Sequence, residues 1–230
     1  MKRTPKSKKP NKPMNYGDYF IKDGKHIGDY EGVYRNFTDP WNHKSNNHQF
    51  LTDRLIALNW MKRLRADFGS TRVVEFGCGL GHLTKPIKDE SFSVVGVDIA
   101  QTAIERARTY NPDCLFIKGS VSDQSIYQTF QPDIIYFAHV TWSILEEIEE
   151  VIAILKKYSI SRSSKPVFLI HLLSTYLPGV QKYGADKFTN NKEILNYFSF
   201  KYLESGEIFL PPNPKSNRVG NFLNYFVARI

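Results

Sequence analysis

The sequence predicts an α/β fold built on a doubly wound, mostly parallel β-sheet that ends in an antiparallel hairpin. Three observations predict it. Five short apolar runs alternate with helical patterns between residues 71 and 172, the first of these runs passes directly into a glycine-rich turn, and the C-terminal end reads as two strands around a cluster of turn residues. Nearly continuous apolar runs are expected of strands covered on both faces, and their alternation with helices is the pattern of a parallel sheet.

The elements follow in order. A length of 230 residues, with 41% apolar and 23% charged side chains, suits one domain with a full core. Residues 1–14 form a basic tail. Lys2, Arg3, Lys6, Lys8, Lys9 and Lys12 carry six of the eight excess positive charges, without an acid among residues 1–13 and with three prolines. Such a segment buries too little to offset its ordering entropy, so it is expected to be disordered, serving solubility or an electrostatic foothold. Residues 15–70 are an aromatic cap, irregular apart from one short helix, followed by a helix. In that helix Leu51, Leu55, Leu58, Met61 and Leu64 recur at helical spacing up to about Gly69.

Residues 71–230 form the ligand-binding domain. Its strands are expected at Arg72–Phe76, Ser93–Val97, Cys114–Lys118, Asp133–Ala138 and Val167–Leu172. Ala100, Ala103, Ile104 and Ala107 form one helical stripe, and Ile144, Ile148, Val151, Ile152 and Leu155 another. Residues 173–204 break the alternation and read as a substrate-side insertion. Asn190 and Glu193 there open a helix, as in a capping box, through about Leu203. Glu207–Leu210 and Phe222–Arg229 are the hairpin strands, with Asn213, Pro214, Ser216, Asn217 and Gly220 at the turn.

Composition excludes several classes. No apolar run approaches the ~20 residues of a membrane span. The basic N-terminus is not followed by an apolar stretch, so it does not read as a secretory signal. Two cysteines, Cys78 and Cys114, build neither a disulfide framework nor a four-cysteine zinc site, and no metal-ligand spacing stands out. A reducing cytoplasm is the simplest compartment.

The strongest local signal is the run from Val73 to Thr84, in which a strand meets Gly77-Cys78-Gly79-Leu80-Gly81 and then a helix. Glycines permit positive φ and close ligand approach, and the helix start offers unpaired N–H groups. A dinucleotide fingerprint requires a third glycine where His82 stands, and the phosphate-loop pattern is missing. Glu75, just before the turn, would repel a pyrophosphate but attract a cationic amino group. Asp98 ends the next strand, 21 residues after Gly77, where an acid accepts hydrogen bonds from ribose hydroxyls. A phosphate-free, zwitterionic nucleoside fits both acids. Two alternative readings stay open: Asp98 as a helix N-cap, and Glu75 bound to local backbone.

Together these motifs resemble class I S-adenosylmethionine (SAM)-dependent methyltransferases, with a Rossmann-like fold whose last strand is antiparallel. Glu75-x-Gly77-x-Gly79-x-Gly81 is similar to that family's first motif, and Val97-Asp98 to its ribose-binding acid. Gly119-Ser120-Val121-Ser122-Asp123 resembles the adenine-contacting loop, and Asp133 to His139 the strand that faces the methyl group. The resemblance implies SAM as cofactor, held by Glu75, Gly77, Cys78, Gly79, Gly81, Asp98, Ile99, Ser122, Asp123 and His139.

A hydroxyl or ammonium acceptor must lose a proton, and His139 and His171, at two strand ends, are candidate bases. Asp39-Pro40-Trp41 resembles methyltransferases of nodulation and polysaccharide clusters, including the chitooligosaccharide N-methyltransferases. His139 departs from the acidic residue common at that place among them. Trp41, Trp142, Tyr176 and Tyr183 are candidate acceptor contacts, since amphipathic rings suit a small polar metabolite, a sugar or glycan precursor included. Trp41 reads equally as an anchor for the cap. An RNA or DNA methyltransferase is an alternative that the basic tail keeps open, although the Asn/Asp-Pro-Pro-aromatic loop and the Pro-Cys nucleophile are missing. A non-catalytic SAM-binding protein is another. An NAD-dependent oxidoreductase is opposed by the broken phosphate fingerprint.

Overall fold

A computed structural model describes residues 16–22, 25–43, 48–177, 180, 183–212 and 220–230. The expected tail and most of the expected hairpin-turn residues lie outside them. The described chain opens with a 3-10 turn at Tyr16–Tyr19, a two-residue pairing of β1 (Ile21–Lys22) with β2 (Lys25–His26), and α1 (Tyr30–Asn36). The cap is therefore more regular than its sequence implied. Helix α2 (His48–Phe68) leads into the sheet and ends at Gly69, whose φ of +68° stops it.

The main sheet holds seven strands: β3 (Arg72–Phe76), β4 (Ser93–Asp98), β5 (Leu115–Lys118), β6 (Ile134–Ala138), β7 (Phe168–Tyr176), β8 (Lys201–Leu210) and β9 (Asn221–Arg229). Their order is β5-β4-β3-β6-β7-β9-β8. The first five are parallel, and β9 runs antiparallel between β7 and β8. The predicted doubly wound sheet with its closing hairpin is the one observed. From β3 the chain first winds outward through β4 and β5, then returns to place β6 on the other side. Order reverses between β3 and β6, and in such sheets ligands bind in the crevice outside the carboxyl ends of the strands at this switch point.

The helices are α3 (Thr84–Asp89), α4 (Gln101–Tyr110), α5 (Gln124–Phe130), α6 (Ile148–Ser161) and α7 (Asn191–Phe198). Alternation along each strand divides the core. Val73, Ile134, Tyr136 and Ile170 face α2 and α3, whereas Val74, Phe76, Ile135 and Leu169 face α5, α6 and α7. The stripe on α6 buries Ile148, Val151 and Leu155 completely or nearly so, each worth roughly 1.5–3 kcal/mol.

Two sequence expectations are corrected. Leu51 and Leu55 do not face the core: Leu55 is 70% exposed, and the buried face of α2 is Phe50, Asp53, Ala57, Trp60, Met61 and Leu64. The helix is rotated so that one carboxylate points inward, which a purely apolar stripe conceals. The helix opened by Asn190 stops at Phe198, where Ser199 turns left-handed (φ 52°), and Lys201–Leu203 begin β8 instead. Its start is as expected: Asn190 accepts from Glu193 N, and the Glu193 carboxylate receives Thr189 N.

At the opposite end of the sheet from the crevice, Asp133 accepts from Thr71 N, Arg72 N, Arg72 Nη2 and Arg162 Nη2 at 3.0–3.2 Å. Burial alone would push its carboxyl up, but these donors outweigh burial and hold it below the usual 3.8. Its contribution to stability is therefore present above pH 3.8 and lost as pH falls through the lower folded value. Asp133→Ala leaves two guanidinium groups without this partner and is expected to cost about 3 kcal/mol in urea denaturation, with ligand binding at the distant crevice unchanged.

Candidate active site

The glycine turn is built where β3 ends. Gly77, Gly79 and Gly81 take φ of +72°, +53° and +76°. Positions 79 and 81 also have no room for a side chain: a Cβ would lie 2.6 Å from Tyr34 Oη at Gly79 and 2.5 Å from the Phe116 ring at Gly81. Cys78 ties the turn to β4, its N–H donating to Val97 O, and closes it internally, its C=O accepting from Gly81 N. Its thiol packs with Ile104, Ala107 and Phe116, so this side chain faces the core rather than the crevice.

Two carboxylates flank the turn. Glu75 is 3% exposed and accepts from Thr84 Oγ1. No cation pairs with it among the described residues, and burial pushes its carboxyl up to about 8, against the opposing Thr84 hydrogen bond. Asp98 closes the other side, its oxygens accepting from Gly79 N and Ala100 N, each at 2.9 Å. Burial raises its pKa too, and those N–H groups hold it down in part. Two backbone donors leave further lone pairs on this carboxylate. Ile99 beside it is 57% exposed, an apolar face next to a polar one. In the following loop Ser122 Oγ lies 2.9 Å from Ser120 Oγ, and Asp123 caps α5 by accepting from Ser125 N and Oγ.

The cap sits over this turn. Helix α4 has no side-chain cap of its own. Glu31 supplies one from α1, accepting from Thr102 N and Oγ1 at 3.1 and 2.6 Å, and these bonds, led by the Thr102 hydroxyl, hold its carboxyl down. Tyr34 lies over Gly79 and accepts from Trp41 Nε1 at 2.9 Å. Trp41 packs with Tyr34, Leu80 and Ala100, so it anchors the cap.

Both predicted histidines have other commitments. His139 sits at φ +59°, a left-handed conformation that costs a β-carbon residue about 1 kcal/mol or more. Its Nδ1 accepts from Ser174 N at 3.1 Å, so the ring proton is on Nε2, 2.8 Å from Asp53 Oδ2. Both nitrogens are engaged, and the ring ties α2, β6 and β7 together. His171 is fully buried, stacked on Phe226 at 4.5 Å and bonded to Thr141 Oγ1; burial pushes it down to about 3. It reaches no substrate, and the expectation of a base there is corrected. His139→Ala strands the Asp53 carboxylate and is expected to cost about 3 kcal/mol or more. A combined Asp53→Ala, His139→Ala variant should lose less than the sum of the single losses in urea denaturation.

Near the carboxyl ends of β6 and β7 Trp142 Nε1 donates to Ser174 O, and its ring lies 5.0 Å from Phe188. Tyr183 stacks on His26. Tyr176, at the end of β7, is exposed.

A methyltransferase-domain family profile matches residues 46–199, about two thirds of the chain. The chain belongs to the methyltransferase-domain family. NodS, an N-methyltransferase from Bradyrhizobium japonicum solved with S-adenosyl-L-homocysteine (SAH), shares 15% identity over 86% of this chain and 97% of its own, with a TM-score of 0.61. TehB from Haemophilus influenzae shares 16% over 83% of this chain and 66% of its own, at 0.57. The bifunctional kinase-methyltransferase WbdD shares 19% over 82% of this chain, at 0.56, and this chain spans 41% of its length. These likenesses are of fold, and the fold is that of SAM-dependent methyltransferases. No curated protein sequence matches the chain significantly.

The residues around the glycine turn fit the cofactor of that family. A buried carboxylate without a cation, beside glycines that expose backbone, is the chemistry an α-ammonium group requires. Glu31, Tyr34, Asp53 and Thr84 were not singled out from sequence. Thr84 closes the quoted glycine run, and Asp53 interrupts an apolar helix face at the spacing Phe50–Asp53–Ala57. Glu31 and Tyr34 lie in a cap without periodicity and left no comparable signal.

Proposed function

We propose that this methyltransferase moves a methyl group from SAM to an oxygen or nitrogen of a small polar metabolite, a sugar or glycan precursor being the favoured acceptor class. The observation that carries the reading is Glu75: a carboxylate this buried, with no cation beside it, is suited to a ligand that brings one. Glu75 would receive the ammonium group, Asp98 the ribose hydroxyls with Ile99 alongside, Ser122 and Asp123 the adenine edge, and Gly77 and Gly79 the close approach. The loop's backbone is the contribution of Cys78 and Gly81.

When bound, the cofactor supplies an activated methyl carbon. The chain's own task is then to align the acceptor and remove its proton. Trp142, Tyr176 and Tyr183 would contact the acceptor, with the 173–204 segment forming the acceptor side. Support for the acceptor class is the Asp39-Pro40-Trp41 resemblance and the NodS neighbour, itself an N-methyltransferase. No described helix is long and apolar enough to cross a membrane, in keeping with an acceptor met in water.

The test is calorimetry with SAH, then transfer from labelled SAM to a panel of amino- and hydroxy-sugars and to RNA. Micromolar SAH affinity and label on a sugar are expected. Label on RNA alone would reject the acceptor class, and no SAH affinity would reject the whole reading.

A further inference from the structure

A hydrogen-bonded chain links the cap to the turn after β6, and the roles assigned so far leave it unused. His26 ends β2, and Tyr30 opens α1 four residues later. His26 Nε2 lies 3.2 Å from Tyr30 Oη, and Tyr30 Oη donates to Ser143 Oγ at 2.6 Å. With its own proton given to Ser143, the phenol oxygen accepts from His26. The imidazole proton is thereby on Nε2, and the lone pair is on Nδ1. Among the described residues nothing hydrogen-bonds to that atom.

The local backbone is shaped around this pair. Gly28 lies between them at φ +54°, and a Cβ there would fall 2.9 Å from His26 Cε1 and 3.1 Å from Tyr30 Cε2. Tyr183, from the acceptor-side segment, stacks on the imidazole with centroids 5.1 Å apart and 20° between planes. Burial holds His26 below its ordinary 6.5, and Glu146 opposes this from the turn after β6. Asp186 and Glu146 also act on Tyr183, whose pKa is raised first by burial. The ring is half-buried.

The pair also lies in the right place. Ser143 follows His139 by four residues as the chain leaves β6. Tyr30 packs with Tyr34 and Leu80 over the glycine turn, and its hydroxyl, already raised by burial, is raised further by the Asp98 carboxylate. His26 is therefore joined through Tyr30 to the Asp98 side and through its stacked ring to Tyr183.

We propose that His26 is the general base that takes the proton of the methyl acceptor, with Tyr30 as its positioning residue. The assignment rests on the methyltransferase reading. The acceptor's oxygen or nitrogen bonds to the methyl carbon as the C–S bond breaks, the electron pair staying on sulfur to give SAH. The acceptor's proton passes to His26 Nδ1. The imidazolium keeps its Nε2–H on Tyr30, its charge is offset by Glu146, and the proton then leaves to solvent.

The test uses the whole chain saturated with SAH and labelled with 15N-histidine. Ring NMR should show His26 as the Nε2–H tautomer, neutral at pH 7, and Tyr30→Phe should redistribute the proton between the two nitrogens. His26→Gln should keep SAH affinity within a few fold, cut methyl transfer to the sugar panel by at least about 100-fold, and abolish the acid limb of the pH–rate profile. An Nδ1–H tautomer, or a His26→Gln variant with wild-type rate and profile, would overturn the assignment while leaving the methyltransferase reading intact. A wild-type chain that binds no SAH would instead bring down both.

Discussion

Glu75→Gln is expected to weaken SAH binding at least tenfold and at the same time to make the free protein more stable. The two effects have one cause. Glu75 is buried beside the glycine turn with only the Thr84 hydroxyl for a described partner, and its carboxyl is pushed up to about 8 from an ordinary 4.5. The folded state holds that proton more tightly than the unfolded chain does. Glu75's contribution to stability is thus fully present below pH 4.5 and is lost as pH rises toward 8. At pH 7 the cost is about 3 kcal/mol, from 1.36 kcal/mol per unit between 4.5 and 7. Glutamine keeps an oxygen for Thr84 and has no charge to desolvate, so urea denaturation should show its advantage growing from pH 5 to pH 8. It also lacks the charge that receives an ammonium. A charge-assisted hydrogen bond of about 1.5–3 kcal/mol is lost, which is roughly 10- to 150-fold in affinity.

Asp98→Ala is expected to damage both the site and the fold. The carboxylate joins the glycine turn to the start of α4 by accepting from Gly79 N and Ala100 N. Its removal leaves two buried donors without an acceptor, worth about 2–6 kcal/mol together, and lets Gly79 move away from Tyr34. SAH affinity should fall by more than tenfold in calorimetry. Asn does not rescue the position: its amide would have to turn an NH2 toward one of two N–H groups, donor against donor. If Asp98→Asn retained full stability and affinity, this carboxylate would not be the link between turn and helix.

The sheet was legible because every parallel strand is a short apolar run, and the two acids were legible because Glu75 is the last residue but one of such a run and Asp98 the last. What sequence left obscure is a matter of parity and orientation. His139 follows the end of β6, whereas His171, expected near a strand end, lies inside β7, which runs on to Tyr176. In β7, however, successive residues face opposite ways, and His171 points with Leu169 and Leu173 into the layer of α6 and α7. A shift of one residue would have put it on the α2 face. Helix α2 was misjudged because leucines at positions 51 and 55 have the right spacing, while the buried face carries Asp53, held there by His139. Lys201-Tyr202-Leu203 could continue a helix or begin a strand. The left-handed Ser199 decides it, and β8 then alternates half-buried with exposed residues as an edge strand does. The cap residues Glu31 and Tyr34 act across long sequence separations, to Thr102 and Gly79, which no local pattern encodes.

The most direct test of the account is proton release on SAH binding, measured by calorimetry at pH 7 in two buffers of different ionisation enthalpy. If Glu75 is protonated in the free protein and ionised against the ligand's ammonium group, close to one proton should leave for each SAH bound, and Glu75→Gln should release none. Tight SAH binding with no proton released, or the same release and affinity in Glu75→Gln, would contradict it.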